Sequence, residues 1–483
     1  MKPTNLLFLM SDQHTRDVAG CYGHPIVETP NIDRLAERGT RFTSAYTTCP
    51  ICVPARASLA TGRYVHQIGN WDNACPYDGS VTSWGHRLRD QGNRVDSIGK
   101  LHFRRQEDDV GFTEAIDPLN VVDGVGDIPG CIRKDPPSRK KRPGIERAGP
   151  GTSTYQDYDA SITDRACRWL SEHRGDEAPW VLFVSFVCPH PPYIAPESLF
   201  RLYSPDDLPL PPQWRGEEWP NHPAIDHFRR FFDFAEPFPE PVLRRLAAAY
   251  FGVCTYLDGQ IGQILHALDA IGLTDTTRIA YTSDHGEHLG ARGIFGKFTM
   301  YEESSAVPLI LSGPDVPQGA TVGTPASLVD LYPTVLETVG ATPSGEDADL
   351  PGRSLFDIIG DPDGDRTVFS EYHAVGSQNA IYMLRDRRYK YVYYVDGPPQ
   401  LFDLQTDPLE LSDLSTSSGH KDVLEDFGNR LRALLDPEAV DAQAKAAQKA
   451  RVDTFGGEEA VRARGAFDNS PVPGETPAFR KYD

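Results

Sequence analysis

The sequence predicts an α/β fold: a large, mainly parallel sheet flanked by helices, followed by a smaller C-terminal α+β subdomain. Three observations carry this reading. Short apolar runs at 5–11, 180–187 and 278–283 each give way to polar residues, as buried strands do where they enter a loop. Between the last two runs, Leu257, Ile261, Ile264, Leu265, Leu268 and Ile271 fall on a helical period. Beyond about residue 360 the pattern changes to closely spaced strand candidates with a short turn.

Taken in order, the run from Asn5 to Ser11 is followed at once by Asp12. Arg94 to Gly99 is a second strand candidate, ending at Lys100. Trp180 to Val187 is a third, ending near His190. Arg278 to Ser283 is a fourth, with Asp284 and His285 after it, and Val307 to Leu311 a fifth. Strands alternating with helical stretches build a parallel sheet with both faces covered. Such sheets bind ligands beyond the carboxyl ends of their strands. Four of these ends carry Asp12, Lys100, His190 and Asp284–His285. Two acids, a lysine and two histidines on one rim suit a metal-assisted hydrolase of an oxyanion.

Residues 1–360 are therefore read as the catalytic domain and 361–435 as the α+β subdomain. There Tyr382–Arg385 and Tyr389–Val395 flank a turn at Asp386–Arg388, and Leu401–Leu404 adds a strand. Residues 436–483 are read as an alanine-rich amphipathic helix, 436–451, and an extended tail that lies on a neighbouring subunit or stays disordered.

The chain has 483 residues and a formal charge of −21, from 48 basic and 69 acidic residues. That balance argues against nucleic acid and anionic membranes as partners, so an anionic substrate needs local positive charge at its site. No apolar run is long enough to span a bilayer, and residues 5–10 are too few for a secretory core, so the expected compartment is the cytoplasm. Eight cysteines without a disulfide-framework spacing are expected to be reduced.

The most informative segment runs Cys-Val-Pro-Ala-Arg-Ala-Ser-Leu-Ala-Thr-Gly-Arg, from Cys52 to Arg63. Cys49 and Cys52 also fit a Cys-x-x-Cys redox motif, but their surroundings do not look like a thioredoxin unit, and two cysteines alone cannot complete a zinc site. The segment resembles the sulfatase signature, Cys-x-Pro-x-Arg followed by a Leu-x-Thr-Gly-Arg-like run, with Ala55 where serine is commoner. Its context strengthens the resemblance: the run at 31–46, Gly99-Lys100-Leu101-His102, Pro189-His190-Pro191-Pro192, Ser283-Asp284-His285-Gly286, Lys297 and a stretch near 401–411 follow the family's order. The resemblance spans residue 5 to about 415 and implies an alkaline-phosphatase/sulfatase-like fold.

It also implies a mechanism. Cys52 would be oxidised to formylglycine by a formylglycine-generating enzyme, and the hydrated aldehyde would attack sulfur, then release sulfate through its second hydroxyl. The implied metal ligands are Asp12, Gln13, Asp284, His285 and modified Cys52, around one divalent cation. Many members have a second Asp at the position of Gln13 and Asn at that of His285. The imidazole suits a transition metal, so Mn²⁺ is preferred, with Ca²⁺ or Mg²⁺ as alternatives. By the same resemblance Arg56 orients the diol, Lys100 and Lys297 neutralise sulfate oxygens, and His102 assists elimination as a base. His190 protonates the leaving oxygen, with Lys297 as second candidate.

Asn73, within Asn70-Trp71-Asp72-Asn73-Ala74, resembles the matching part of choline sulfatases and of phosphonate monoester hydrolases, and is read as substrate-binding with Lys100, His190 and Lys297. The Lys100–His102 pair favours sulfate over phosphonate or phosphodiester substrates. The implied substrate is a small-molecule or sugar sulfate ester, and the implied assembly a homo-oligomer, dimer or tetramer. A non-catalytic binding protein is disfavoured because no expected position is lost. The basic stretch 133–142 is read first as a solvated, mobile loop and second as a guide for a polyanionic substrate.

Overall fold

In a computed structural model describing residues 2–482, eight strands form the main sheet. They are β1 (Asn5–Asp12), β2 (Gly39–Phe42), β3 (Arg94–Lys100), β4 (Glu114–Leu119), β5 (Trp180–Pro189), β6 (Thr277–Ser283), β7 (Leu309–Ser312) and β8 (Ala320–Val322). Their spatial order is β8-β2-β7-β6-β1-β5-β3-β4. The five strands from β6 to β4 run parallel, while β7 is antiparallel to both β6 and β2.

The continuous apolar run of β1 has a simple cause. Successive side chains point to opposite faces of a strand. Leu6, Phe8 and Met10 enter a core shared with Ala57 and Leu59 of α2 (Cys52–Thr61) and Val335 of the helix Leu331–Val339. Leu7 and Leu9 enter the opposite core, shared with Ile32 of α1 (Pro30–Glu37), Trp169 of α3 (Thr154–Glu172) and Ile261 of α4 (Glu240–Ala270). Both faces are covered, so neither can be polar, and each buried side chain of this size contributes about 1.5–3 kcal/mol. The helical period read at 257–271 is the C-terminal half of α4, a helix of 31 residues.

The C-terminal subdomain is an antiparallel meander of β9 (Val368–Tyr372), β10 (Ile381–Arg385), β11 (Tyr389–Tyr394) and β12 (Gln400–Asp403). The turn falls at 386–388 as expected. Phe369, Tyr382 and Tyr391 pack with Phe427 and Leu431 of α5 (Lys421–Leu434), and Tyr64 and Val329 of the larger part enter the same core. Glu371 of β9 accepts from the Nδ1 of His66 at 2.9 Å and pairs with His373 at 2.8 Å, a buried joint between the two parts.

One expectation is revised. The stretch 133–142 is not a solvated loop throughout. Arg133 and Arg139 are buried, Arg139 pairing with Asp127 at 2.7 Å and Arg133 reaching Asp441 at 3.4 Å, because a buried guanidinium needs carboxylate partners. The tail makes its described contacts within its own chain. After α6 (Pro437–Thr454) and α7 (Glu458–Arg464) it turns back across its own chain, with Ala466 bridged to Arg480 and Ser470 held by Tyr155 and His102. Among the described residues, no helix is long and apolar enough to cross a membrane.

Candidate active site

Sheet register builds the site. β1 and β6 are parallel neighbours with Ser11 opposite Ser283, so Asp12 and Asp284 leave the sheet side by side at one edge. Backbone N–H groups of Gln13 and His285 both donate to Asp284 Oδ1, at 3.1 and 3.0 Å. Gln13 takes φ +69°, a left-handed conformation rare for a side-chain-bearing residue and frequent at functional sites. At the end of β3, Gly99 has φ +96°, and a Cβ there would sit 2.3 Å from the Ser185 carbonyl oxygen. Only glycine allows this close approach, which delivers Lys100 to the same edge.

Cys52 is the first residue of α2, where unpaired backbone N–H groups favour negative charge. Asn73 Oδ1 accepts from Val53 N–H at 3.2 Å, fixing the helix start. Gly62, at φ +68°, ends the helix with its N–H on Ser58.

Ligand atoms of Asp12, Cys52, Asp284 and His285, all buried, lie within 4.8 Å of one another. Cys52 Sγ is 3.1 Å from His285 Nε2 and 3.6 Å from Asp12 Oδ1. His285 Nδ1 lies 3.1 Å from the Gly286 carbonyl oxygen, which can only accept, so Nδ1 carries the proton and Nε2 offers its lone pair to the cluster. Arg56 spans both carboxylates, Nε to Asp284 Oδ2 at 2.8 Å and Nη2 to Asp12 Oδ2 at 3.2 Å, and its Nη1 donates to Ser185 Oγ at 2.8 Å. Lys100 Nζ is 2.7 Å from Asp12 Oδ2.

Electrostatics divide the two acids. Burial pushes Asp12 up, but the charges of Lys100, Lys297 and Arg56 more than reverse this and hold it well below the carboxylate range. Burial and the neighbouring charge of Asp12 push Asp284 up. Burial, then Lys297, drives His285 well below its usual range, so the imidazole is neutral. Two adjacent carboxylates in mutual repulsion and one neutral imidazole turned toward them fit a divalent cation. Burial also pushes the Cys52 thiol up to about 11, and Cys49 higher still. Unmodified, neither is a ready thiolate, which weighs against a redox pair.

The other expected residues gather around this cluster. Lys297 Nζ is 3.2 Å from Cys52 Sγ and 2.7 Å from Gln13 Oε1. The Gln13 amide also reaches Glu287, which accepts from Tyr193 Oη at 2.6 Å. His102, at φ +56°, sets Nε2 3.0 Å from Ser470 Oγ; burial and then Lys100 hold it neutral. His190 Nδ1 lies 2.8 Å from the Pro191 carbonyl oxygen, so this nitrogen donates and Nε2 remains an acceptor. His190 and Lys297 line a cavity of about 450 Å³ with Phe232, Phe234, Lys141 and Asp468. Asn73 stands outside that lining, at the helix start. Sequence reasoning missed Glu287, Tyr155 and Ser470. Glu287 lies three residues beyond Asp284 and was within reach of a wider reading of that motif; Tyr155 and Ser470 carry no local signal.

Comparison with known proteins agrees with this geometry. The sequence model of the sulfatase family matches residues 4–341, and that of the N-sulphoglucosamine sulphohydrolase C-terminal region matches 286–436. A choline-sulfatase from Rhizobium meliloti is 32% identical over 97% of this chain and 94% of its own. An arylsulfatase K from Danio rerio is 31% identical over 90% of this chain and 84% of its own. The crystal structure of a phosphonate monoester hydrolase from Agrobacterium radiobacter superposes with a TM-score of 0.73 at 27% identity, covering 91% of this chain and 96% of that one.

Proposed function

The chain belongs to the sulfatase family, and from that premise we propose that it hydrolyses a sulfate ester to an alcohol and inorganic sulfate. One observation carries the reading: Cys52 stands at a helix N-terminus among Asp12, Asp284 and His285 within 4.8 Å, with Lys297 at 3.2 Å. Asp12, Asp284, His285 and position 52 would hold the divalent cation, with Gln13 beside them; the imidazole favours Mn²⁺ over Ca²⁺ or Mg²⁺. That cation would withdraw charge from the sulfate oxygens. Formylglycine at position 52, as its hydrate, would supply the attacking oxygen and the exit for sulfate.

The chain's own residues do the rest. Arg56 holds the two carboxylates together and neutralises part of their charge. Lys100 and Lys297 bring positive charge to where the sulfuryl oxygens gain negative charge, in a site screened from water. His102, neutral and held by Ser470, can take the proton released when the second hydroxyl expels sulfate. At the leaving oxygen, His190 must first take up a proton on Nε2 to act as an acid, whereas Lys297 carries one already.

A phosphonate monoester or phosphodiester remains the second reading, favoured by the likeness to the phosphonate monoester hydrolase structure. Lys100 and His102 in place favour sulfate. A reducing, cytoplasmic setting is compatible with eight free thiols, and assembly as a dimer or tetramer belongs to the same proposal. The test is turnover of choline sulfate, an aryl sulfate, a sugar sulfate and a phosphonate monoester, each with Mn²⁺ and with Ca²⁺. Faster hydrolysis of the phosphonate than of every sulfate ester would overturn the sulfatase reading.

A further inference from the structure

Glu287 is buried and takes no part in the proposed steps. Its two oxygens accept four hydrogen bonds. Oε1 takes the backbone N–H groups of Leu289 at 2.8 Å and Gly296 at 2.7 Å. Oε2 takes the Tyr193 hydroxyl at 2.6 Å and the side-chain amide nitrogen of Gln13. All four donors are uncharged, so a carboxylate taken out of water finds no countercharge among them. The first pair closes the loop from 287 to 296 and so sets where Lys297 leaves the backbone. The last bond fixes which way the Gln13 amide faces. A carboxylate accepts and an ammonium donates. Between Glu287 and Lys297 the amide therefore turns its nitrogen to the acid and its oxygen to the lysine, whose Nζ lies 2.7 Å away. The same Nζ is 3.2 Å from Cys52 Sγ. A carboxylate on the N–H side also polarises the amide and strengthens its oxygen as an acceptor.

Resting on the sulfatase reading, we propose that Glu287 is a positioning residue for Lys297. It shapes the loop that carries the lysine and, through the Gln13 amide, holds the ammonium at the sulfate site. Without the acid, Gln13 gains a second orientation in which its amide nitrogen meets the ammonium, donor against donor, and Lys297 turns away. The departing alcohol then loses a source of positive charge and of a proton, and esters of weakly acidic alcohols suffer most. Glu287→Gln creates this conflict, because either orientation of the new amide sets its nitrogen against donors, the Gln13 amide on one side or Leu289 and Gly296 N–H on the other. Exchanging the two residues, Glu287→Gln with Gln13→Glu, restores the pairing. The new amide oxygen takes the two backbone N–H groups, its nitrogen donates to the new carboxylate, and that carboxylate accepts from Lys297.

The experiment compares kcat/KM for phenyl sulfate and para-nitrophenyl sulfate at saturating Mn²⁺, so that altered cation affinity does not enter. This constant includes the step in which the alcohol departs, and phenoxide needs a proton far more than para-nitrophenoxide. Glu287→Gln should lose about thirtyfold on phenyl sulfate and about threefold or less on para-nitrophenyl sulfate, a fraction of what a general acid contributes. The exchanged pair should recover most of the difference, which a merely structural role would not produce. Should Glu287→Gln fail to fold, Gln13→Met cuts the same link and should show the same selective loss. Equal loss on both esters, or an exchanged pair no better than Glu287→Gln alone, overturns the role of Glu287. If the unsubstituted chain turns over no sulfate ester, the sulfatase reading fails, and isothermal titration with inorganic sulfate then decides about Glu287. Binding about tenfold weaker in Glu287→Gln and recovered in the exchanged pair, one charge-assisted contact's worth, upholds the positioning role, and equal affinity in all three proteins overturns it.

Discussion

Ser470 Oγ lies 3.0 Å from His102 Nε2, joining residues 368 positions apart, while Tyr155 Oη donates to the Ser470 carbonyl oxygen at 2.6 Å. The C-terminal tail thus reaches the base proposed for sulfate release. Ser470→Ala should lower kcat by about tenfold, a fraction of what a positioned base contributes, with a smaller change in KM. Ser470→Thr should restore most of it. An unchanged kcat in the alanine variant would show the contact to be idle.

Modification of Cys52 is directly measurable. Co-expressed with a formylglycine-generating enzyme, the peptide containing Cys52 should lose roughly 18 Da, the mass difference between a thiol-bearing and an aldehyde-bearing side chain in the chemistry of cysteine oxidation. Cys52→Ala should abolish sulfate ester turnover while leaving the far-ultraviolet spectrum intact. A fully unmodified yet fully active protein would end the formylglycine mechanism.

Removal of the cation should be as decisive. A chelator should abolish activity, and Mn²⁺ should restore it more fully than Ca²⁺. Added Mn²⁺ should also raise Tm, since a ligand that binds only the folded state stabilises it, by about 2.7 kcal/mol at a hundredfold excess over Kd. In Asp284→Asn the metal-dependent rise in Tm should vanish. Equal shifts in both proteins would place the cation elsewhere.

The joint at Glu371 predicts an acid limb in stability. Burial pushes this carboxyl up, but His66 and His373 reverse the effect and bring it to about 2. A carboxyl depressed in the folded state stabilises fully above its unfolded value near 4.5 and progressively less as pH falls toward about 2. Glu371→Gln should therefore cost about 2–4 kcal/mol at pH 7, by linkage and because the amide keeps one acceptor oxygen where His66 and His373 use two. The difference in Tm between the two proteins should close on acidification from pH 5 to pH 2.5. A gap independent of pH would mean that the loss is one of packing.

By itself the sequence determined the parallel strands and the chemistry at their ends. Apolar runs of strand length and a helical period are local, and β1, β3, β5 and β6 deliver Asp12, Lys100, His190 and Asp284–His285 wherever the strands pair. It also marked Cys52 and Arg56 through one contiguous segment. Only tertiary structure decided that Arg133 and Arg139 are sealed into ion pairs while Lys141 of the same stretch lines the cavity, since a run of basic residues has no period that separates buried from exposed. Only it brought Ser470 and Tyr155 to His102 and laid the tail on its own chain. Such contacts depend on long-range packing of side chains whose sequence neighbours carry no trace of their partners.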